Sequence, residues 1–370
     1  MNRYTFIGFG LIGGSIAKRL RKEEPDCCIH VYSRTQSKIA PALADGVANR
    51  IFDTVTEREL IEGSDIIFLC TPVVYIEDYL MQIAPMILDN PACRNTIITD
   101  VGSTKFSIME SIEKAHLAAH YVGGHPMAGS EKTGYAHAKE HLLENAYYIL
   151  TPTPETPADM TERMRKLVDS LGAIPLILDA KKHDYAVAAI SHLPHLIAAS
   201  LVNLVEDNDS EDQLMKRIAA GGFKDITRIA SSSPEMWEQI CMSNREAILD
   251  MMNRYIASLS DIRTSIAEAK GHDINMLFTQ SRSYRDSISN RNVGPLPMEY
   301  SVYCDIADET GAIAMIASLL AIHQISIKNI GIIHNREQEE GVLKIEFYNQ
   351  EAKKLAEQIL RDKMYVVFPR

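Results

Sequence analysis

The first thirteen residues impose the strongest constraint on how this chain folds. An apolar stretch from Arg3 to Ile7 leads directly into the glycine pattern Gly8-Phe9-Gly10-Leu11-Ile12-Gly13, and a helical spacing of apolar residues follows. Gly8 permits a tight turn, Gly10 lets the backbone approach a pyrophosphate, and Gly13 lets the helix pack closely on the strand. The N-terminus of that helix offers free N–H groups to phosphates. The sequence therefore predicts a dinucleotide-binding turn formed by Gly8, Gly10, Leu11, Ile12 and Gly13.

The end of the second predicted strand bears on which dinucleotide this turn binds. After Ile29 to Tyr32 the chain continues as Ser33-Arg34-Thr35, without the acidic residue that would bind the ribose 2′-hydroxyl of NAD. An arginine between two hydroxyl side chains suits the 2′-phosphate of NADP, although a solvated arginine at a strand end has the same sequence. We therefore expect NAD(P)+ as the cofactor, with Ser33 and Arg34 leaning towards NADP.

Two further apolar runs predict the fold of residues 1–178. The runs Ile66 to Cys70 and Thr96 to Thr99 suit parallel strands that are buried on both faces, and segments with helical spacing separate them. This alternation predicts an α/β fold with a doubly wound, Rossmann-type parallel sheet. Ligands of such sheets bind beyond the carboxyl ends of the strands. We therefore predict cofactor contacts for Thr71, Pro72 and Asp100.

A third strand end carries the residue that we predict to be catalytic. Gly123-Gly124-His125-Pro126 follows the apolar pair Tyr121-Val122, and we interpret it as a turn that holds His125 near a ligand. A histidine there can exchange a proton near neutral pH, although a single histidine in a turn is more often structural. Ser103 has two interpretations: it caps the next helix or it contacts the substrate, and it can do both.

Residues 179–289 change to a helical pattern that is interrupted by a polar cluster. Ser191, His192 and His195 lie within an apolar region, where polar groups are costly to bury unless they are hydrogen-bonded or solvated. We interpret His192 as a satisfied core histidine. For His195, which follows a proline at the start of a long apolar helix, we favour contact with a ligand.

The same helical region contains a concentrated cationic segment and long apolar helices. Lys224 and Arg228 follow a glycine pair in a chain whose net charge is −11. Arginine binds carboxylates with two hydrogen bonds, and a surface salt bridge is the alternative role for this pair. The helix predicted over residues 242–269 carries apolar residues at helical spacing over an unusual length. Such helices commonly pack against a second subunit, so we expect a homodimer.

The C-terminal part has the composition and element order of a separate module. Residues 290–297 are rich in asparagine, glycine and proline, as in a linker. Residues 298–370 then follow the order strand, helix, strand, strand, helix, strand. This βαββαβ order predicts a ferredoxin-like domain.

Composition and motif spacing exclude several classes of protein. The acidic net charge argues against general nucleic-acid binding, and no apolar run approaches the roughly 18 residues that a membrane-spanning helix needs. The six cysteines form no CxxC pair, so we expect reduced thiols in a cytoplasmic protein. The chain enters a strand at its start, which leaves no room for a signal peptide. We find no spacing of residues typical of a metal site and expect no metal.

Six motifs occur in the order and spacing of the prephenate/arogenate dehydrogenase family, which the chain resembles over about residues 3–285. They are G-x-G-L-I-G-G-S, D-V-G-S-T-K, G-G-H-P-M-A-G-S-E, H-D-Y, S-H-L-P-H and G-G-F-K-D-I-T-R-I-A-S. The resemblance implies oxidative decarboxylation of prephenate on the tyrosine pathway, with NAD as the usual cofactor. Ser33-Arg34 departs from the aspartate of many NAD-specific members, which leaves the cofactor preference open.

The resemblance also implies a role for each matching residue. His125 resembles the catalytic histidine that bonds the ring hydroxyl of the substrate, and Ser103 resembles the serine that orients this hydroxyl. Arg228 resembles the arginine that holds the substrate carboxylate. Ser191 and His195 resemble residues that contact the substrate, and Ser130 and Glu131 resemble residues that reach the neighbouring active site across the dimer.

The C-terminal module and the substrate each leave an alternative. Asp308, Gly311 and Asn329 resemble the effector site of an ACT regulatory domain, for which we expect L-tyrosine as the effector; a purely structural dimerisation module is the alternative. Arogenate is the alternative substrate, and the histidine at position 195 leans towards the keto acid prephenate. A catalytically silent NADP-binding sensor would need only the glycine turn, so the polar residues around His125 speak against it.

Overall fold

A computed structural model describes residues 1–129, 132–290, 300–306, 311–333 and 341–368. The chain divides into two compact units, Met1–Thr279 and Gln280–Arg370. The predicted boundary at residues 178/179 lies inside the first unit, where the last strand gives way to helices. Most of the predicted linker, residues 291–297, lies outside the described residues.

The first unit opens with a five-stranded parallel sheet in the strand order β3-β2-β1-β4-β5, which confirms the predicted doubly wound fold. Neighbouring residues of each strand face opposite sides, and both sides are apolar: Phe6 packs into one core and Ile7 into the other. The strands are β1 (Arg3–Ile7), β2 (Cys28–Tyr32), β3 (Arg50–Phe52), β4 (Ile66–Leu69) and β5 (Ile97–Asp100), and the helices are α1 (Leu11–Glu23), α2 (Pro41–Ala44), α3 (Arg58–Ile61), α4 (Ile76–Leu88) and α5 (Phe106–Lys114).

A second sheet continues from the edge of the first and corrects one prediction. It comprises β6 (Val122–Pro126), β7 (Tyr147–Pro152) and β8 (Ile174–Ile177), with helix α6 (Ala158–Ser170) between the last two strands. Strand β6 runs antiparallel to β7, and a parallel bridge between Ile98 and Tyr121 joins it to β5. The segment that holds His125 is therefore a strand and not a turn.

The glycines of β6 explain why this segment is a strand despite its turn-like composition. A Cβ atom on Gly124 would lie 2.5 Å from the carbonyl oxygen of Asp100, and a Cβ atom on Gly123 would collide with the side chain of Thr151. The two glycines thus allow β6 to lie close to β5 and β7. Their role is close packing of the backbone, which glycine permits because it lacks a side chain.

Helices form the rest of the first unit. Helix α7 (Ala180–Val187) and helix α8 (Leu193–Asp207) are joined by a π-helical turn, Ala188–His192. Pro194 has no N–H for the carbonyl four residues earlier, and its ring crowds that carbonyl, which accounts for the widened turn. The helix predicted over residues 242–269 breaks at Asn244. The remaining helices are α9 (Leu214–Ile218), α10 (Gly221–Thr227), α11 (Pro234–Ser243), α12 (Arg245–Ala267) and α13 (Gly271–Asn290), of which α13 continues beyond Thr279, the last residue of the first unit.

One helical stretch is longer and more apolar than the sequence analysis predicted for any segment. Ala180–Asp207 is long and apolar enough to cross a membrane by length and composition, so the expectation that no segment reaches this size is wrong. His183 and Asp184 within it are buried, and the carboxylate of Asp184 accepts hydrogen bonds from backbone N–H groups at the start of α5. These bonds attach the stretch to the α/β part of the same unit.

The second unit contains the predicted ferredoxin-like module. Its antiparallel sheet has the order β10-β11-β9-β12, and an apolar core lies between this sheet and the helices. Gly311 precedes the first helix with a φ of +96°, a conformation that favours glycine. Asn329 lies on β10, and Asp308 lies outside the described residues. The elements are β9 (Tyr300–Ile306), α14 (Ala312–Ile322), β10 (Ile327–Ile333), β11 (Gly341–Phe347), α15 (Gln350–Asp362) and β12 (Val367–Phe368).

Candidate active site

A cleft of about 210 Å³ lies at the carboxyl ends of β1, β2 and β4. Of the residues predicted to bind a dinucleotide, six line this cleft: Gly8, Gly10, Ser33, Arg34, Thr71 and Pro72. Gly8 has a φ of +86°, and a Cβ atom there would lie 2.7 Å from the carbonyl oxygen of Cys70. Gly10 has open space on its exposed side. Leu11 and Ile12 form the first turn of α1 and are half-buried.

Two features of this cleft suit a bound dinucleotide. The side-chain oxygen of Thr71 is buried and has no hydrogen-bond partner in the part of the chain that the structure describes. The rim near β2 carries two cations, Arg34 and Lys38, and none of the described residues that line the cleft is acidic. The guanidinium of Arg34 lies 4.3 Å from the centre of the Tyr75 ring, which holds it beside the cleft. This end of the cleft therefore favours a negatively charged group.

His125 belongs to a chain of hydrogen-bonded side chains. Its Nδ1 atom lies 2.8 Å from Nε2 of His183, and Nδ1 of His183 lies 2.7 Å from Oδ1 of Asp184. His183 is fully buried and His125 is half-buried. Burial lowers the pKa of His125 well below its usual range, and the Lys105 ammonium and neighbouring imidazoles add to this effect. His125 is therefore neutral at pH 7 and available to accept a proton.

Asp184, although distant in sequence, also caps the N-terminus of helix α5. Its Oδ1 atom accepts the N–H of Lys105 and its Oδ2 atom accepts the N–H of Phe106, both at 2.8 Å. Within the helix these N–H groups have no acceptor, because they lie at its N-terminus. A carboxylate at this position also faces the positive end of the helix dipole. No side chain of the loop itself caps α5, so the interpretation of Ser103 as a cap is wrong. Substrate contact by Ser103, which is half-buried between β5 and α5, remains a prediction.

The carboxylate of Asp100 is fully buried and joins the two sheets. Its Oδ1 atom accepts hydrogen bonds from the Tyr121 hydroxyl at 2.7 Å and from the Gly124 N–H at 3.1 Å. Its Oδ2 atom accepts from the Gly102 N–H at 2.8 Å and from the buried ammonium of Lys105. All four hydrogen bonds of this carboxylate are made within the protein, so the side chain does not reach the cleft. The predicted cofactor contact of Asp100 is therefore replaced by a structural role.

The rings of His192 and His195 both contact Trp237. His192 is buried, its Nδ1 accepts a hydrogen bond from Asn244, and burial lowers its pKa to about 4, as expected for a core histidine. Nδ1 of His195 donates to the carbonyl of Ser191 at 2.8 Å. The His195 ring stacks on Trp237 with 3.9 Å between ring centres. The indole N–H of Trp237 is buried and has no acceptor among the described residues.

The cationic segment lies beside the helix that carries His195. Arg228 begins a short 3-10 helix, Arg228–Ser231, which packs against α8, and Lys224 is exposed on α10. The structure thus brings Arg228 close to the helix of Ser191 and His195. Ser130 and Glu131 lie outside the described residues.

Sequence reasoning missed four residues of this region: Lys105, His183, Asp184 and Trp237. The first three each appear in a quoted motif, and an adjacent His-Asp pair at the start of a helix was an available signal for His183 and Asp184. Trp237 is the only tryptophan in the chain, but nothing in its local sequence indicates that it stacks on His195.

Comparison with known proteins identifies the two parts of the first unit. The family model described as the nucleotide-binding domain of prephenate dehydrogenase matches residues 16–175. The model described as its dimerization domain matches residues 179–280. Among curated proteins, prephenate dehydrogenase of Bacillus subtilis is 37% identical over 95% of this chain and 94% of its own length. Prephenate dehydrogenase of Lactococcus lactis is 34% identical over 97% of this chain and 98% of its own length.

Solved structures give the same result for the fold. Prephenate dehydrogenase of Aquifex aeolicus, in complex with hydroxyphenyl propionate and NAD+, has a TM-score of 0.72 and 27% identity, covering 78% of this chain and 98% of that chain. Arogenate dehydrogenase of Synechocystis has a TM-score of 0.68 and 30% identity, covering 77% of this chain and 99% of that chain.

The buried pair of Asp100 and Lys105 predicts a non-additive effect on stability. In Asp100→Asn the buried ammonium loses its counter-charge, and breaking such a pair typically costs about 3–5 kcal/mol. Adding Lys105→Met removes the orphaned charge, so the double variant should be more stable than Asp100→Asn alone. Urea unfolding measures both. As a control, Asp250→Asn breaks an exposed ion pair with Arg254 and should change stability by about 0–1 kcal/mol. Additive losses in the double variant would contradict the pairing.

Proposed function

The chain belongs to the prephenate dehydrogenase family, and on that premise we propose that it catalyses the oxidative decarboxylation of prephenate to 4-hydroxyphenylpyruvate with hydride transfer to NAD(P)+. The observation that carries this proposal is the state of His125. Its Nδ1 atom is engaged by His183, and its lowered pKa leaves the ring neutral at the edge of the nucleotide-binding sheet. The remaining ring nitrogen, Nε2, is then the atom that meets the substrate.

In the proposed reaction His125 accepts the proton of the ring hydroxyl while hydride leaves C4 of the ring. A general base must be unprotonated to accept a proton, and it works best when its pKa lies near the working pH. The lowered pKa of His125 meets the first of these conditions. Gly8, Gly10 and Thr71 line the cleft and would hold NAD(P)+, which would supply the hydride acceptor when bound. Loss of the ring carboxylate as carbon dioxide makes the product aromatic, which drives the reaction.

Polar groups around the helical side of the site suit the substrate's two carboxylates. Arg228 stays charged at any working pH, so it holds a carboxylate without giving it a proton. Lys224 adds a second positive charge on the adjoining helix. Ser103, Ser191 and the indole N–H of Trp237 offer further polar contacts. The contacts across a dimer that the resemblance implies for Ser130 and Glu131 stay a prediction, because both residues lie outside the described residues.

Prephenate is favoured over arogenate because two curated relatives that match nearly the whole chain are prephenate dehydrogenases. The choice between the two side chains can be made at His195. Its Nδ1 donates to the Ser191 carbonyl, so only Nε2 remains for a ligand, and stacking on Trp237 holds the ring in this orientation. Turnover of both substrates distinguishes this proposal from an arogenate dehydrogenase.

Assembly and location follow from surface and thiol chemistry. Helices α8 and α12 leave large apolar side chains exposed, among them Leu204 and Ile256, both at 58% exposure. A surface of this kind needs a partner, and a second copy of the same helices suits a homodimer. All six cysteines are free thiols, which suits the reducing cytoplasm.

We further propose that the second unit is an ACT-like regulatory domain that binds L-tyrosine. The ferredoxin-like sheet and the positive φ of Gly311 at the start of α14 support this proposal. A glycine there lets backbone N–H groups at the helix start face a ligand carboxylate. Asn329 and Asp308 are the predicted polar contacts.

His125→Asn should lose most turnover while it keeps the fold and the affinity for NAD(P)+. Asparagine cannot accept the proton, and general-base catalysis contributes roughly 10²–10⁴-fold. Steady-state kcat with prephenate measures the loss of turnover, and fluorescence measures the affinity for NAD(P)+. His141→Asn, at an exposed histidine, is the control. A kcat within a few-fold of the wild type would remove His125 from the mechanism and with it the proposed function.

Arg34→Asp should shift the preference of the enzyme from NADP+ towards NAD+. The new carboxylate repels a 2′-phosphate and accepts a hydrogen bond from a ribose hydroxyl. The ratio of kcat/KM values for the two cofactors measures the shift, and Arg58→Asp makes the same charge change outside the cleft. A wild-type enzyme that prefers NAD+ by a wide margin contradicts the role given to Arg34.

Removal of residues 291–370 should abolish most inhibition by L-tyrosine. Coupling between a regulatory site and an active site is typically about 1–3 kcal/mol, or 5–150-fold in affinity. Tyrosine also resembles the product and inhibits by occupying the active site. Inhibition curves for the full chain and for residues 1–290 separate the two sources. Equal sensitivity of both proteins would place the inhibition in the active site alone.

A further inference from the structure

We propose that His183 and Asp184 are positioning residues that make Nε2 of His125 the base and share the positive charge that this base acquires. This inference rests on the proposed function, because it concerns the proton that His125 removes from the substrate. The contacts that carry it are the two bonds of 2.8 Å and 2.7 Å in the chain His125–His183–Asp184.

The hydrogen-bonding rules of the three groups fix which atoms carry protons. A carboxylate only accepts, so Nδ1 of His183 carries a proton and donates it to Asp184. In neutral His183 the Nε2 atom is then bare and must accept, which requires that Nδ1 of His125 carries a proton and donates. Neutral His125 is thereby left with its lone pair on Nε2. Without His183, both tautomers of His125 would be populated, and one of them has no base on Nε2.

The same chain provides a place for the charge after proton transfer. When Nε2 of His125 takes the hydroxyl proton, the ring becomes an imidazolium. The proton on Nδ1 can then move across the 2.8 Å contact to Nε2 of His183, which leaves His125 neutral with its new proton and makes His183 the cation. One proton enters the pair and none is lost. The cation then lies next to the carboxylate of Asp184, which stabilises it in a buried site.

Asp184 is the acidic side chain in direct contact with the histidine pair. Its two carboxylate oxygens also accept hydrogen bonds from two backbone N–H groups at the N-terminus of α5. The ammonium of Lys105, also at the start of α5, is paired with Asp100 of β5. His192, from the π-helical turn, is buried and neutral at pH 7. Tyr121 is held protonated because burial and Asp100 raise its pKa.

Graded substitutions of His183 separate the two parts of the proposal. In His183→Gln the side-chain carbonyl can still accept from Nδ1 of His125 but cannot take a proton, whereas His183→Leu can do neither. We expect kcat to fall in the order wild type, Gln, Leu, with a loss of about 10²-fold for Leu, the lower end of what a general base contributes. Melting temperature and NAD(P)+ affinity identify any variant that has not folded.

The pH profile of Asp184→Asn tests whether Asp184 stabilises the positive charge that His125 and His183 share. Removing the carboxylate makes the imidazolium less stable, so the pKa of the base falls. Because the base is active when unprotonated, activity is lost as the pH drops through that pKa, and the acid limb of the kcat/KM profile should move to lower pH with a lower plateau. Asp184→Glu should partly restore the position of the acid limb and the height of the plateau. Asp179→Asn is the matched control, since Asp179 caps α7 and lies outside the chain of histidines.

The outcomes separate this inference from the proposed function. Asp179→Asn should reduce stability and leave the pH profile unchanged. If His183→Leu and Asp184→Asn lower only the melting temperature and keep the wild-type kcat and acid limb, His183 and Asp184 are structural and the inference is overturned. If His125→Asn also keeps its turnover, the proposed function fails as well. Loss of turnover in His125→Asn together with unchanged His183 variants overturns this inference alone.

Discussion

The arrangement of the site depends on one buried carboxylate at the end of β5. Asp100 gathers four donors, from Gly102, Lys105, Tyr121 and Gly124, and these come from the loop after β5 and from β6 with the residue before it. An ionised carboxylate inside a protein is stable only when its oxygens are hydrogen-bonded and its charge is compensated. The requirement to satisfy Asp100 therefore fixes the loop that contains Ser103 and the strand that carries His125 at the same time.

A second carboxylate, on the helical side of the site, also joins several elements through its hydrogen bonds. Asp184 attaches α7 to the N-terminus of α5 and orients His183 with the same side chain. The helical and α/β parts of the first unit thus meet through charged and polar groups close to the reacting histidine. A site built in this way has little freedom to reorganise, because moving either carboxylate leaves several buried donors without acceptors.

The sequence predicts those features that depend on local pattern, and it misses those that depend on contacts between distant residues. The strands of the parallel sheet were found because burial on both faces requires runs of apolar residues, and the glycines of the first turn mark positions where backbone or ligand approaches closely. The composition of Gly123 to Pro126 predicts a turn, because only the neighbouring strands reveal why glycine is needed there. The position of Asp100 predicts a cofactor contact, because the sequence does not show whether a polar residue at a strand end faces the cleft or the interior. Asp184 lies 78 or 79 residues from its partners, beyond the reach of local reasoning.

The π-helical turn Ala188–His192 has a consequence for how this helix tolerates change. A π turn holds one residue more than the α-helical turn it replaces, and each residue of an α-helix rotates the chain by about 100°. Because the π turn absorbs its extra residue, deleting a single residue here would let α7 and α8 run on as a regular helix, with α8 in nearly the same orientation relative to α7. A deletion elsewhere in α7 or α8 would instead rotate the residues that follow it by that angle, and a deletion in α7 would move His195 away from Trp237. The π turn is therefore the position in this helical stretch where the loss of one residue disturbs the contact between His195 and Trp237 least.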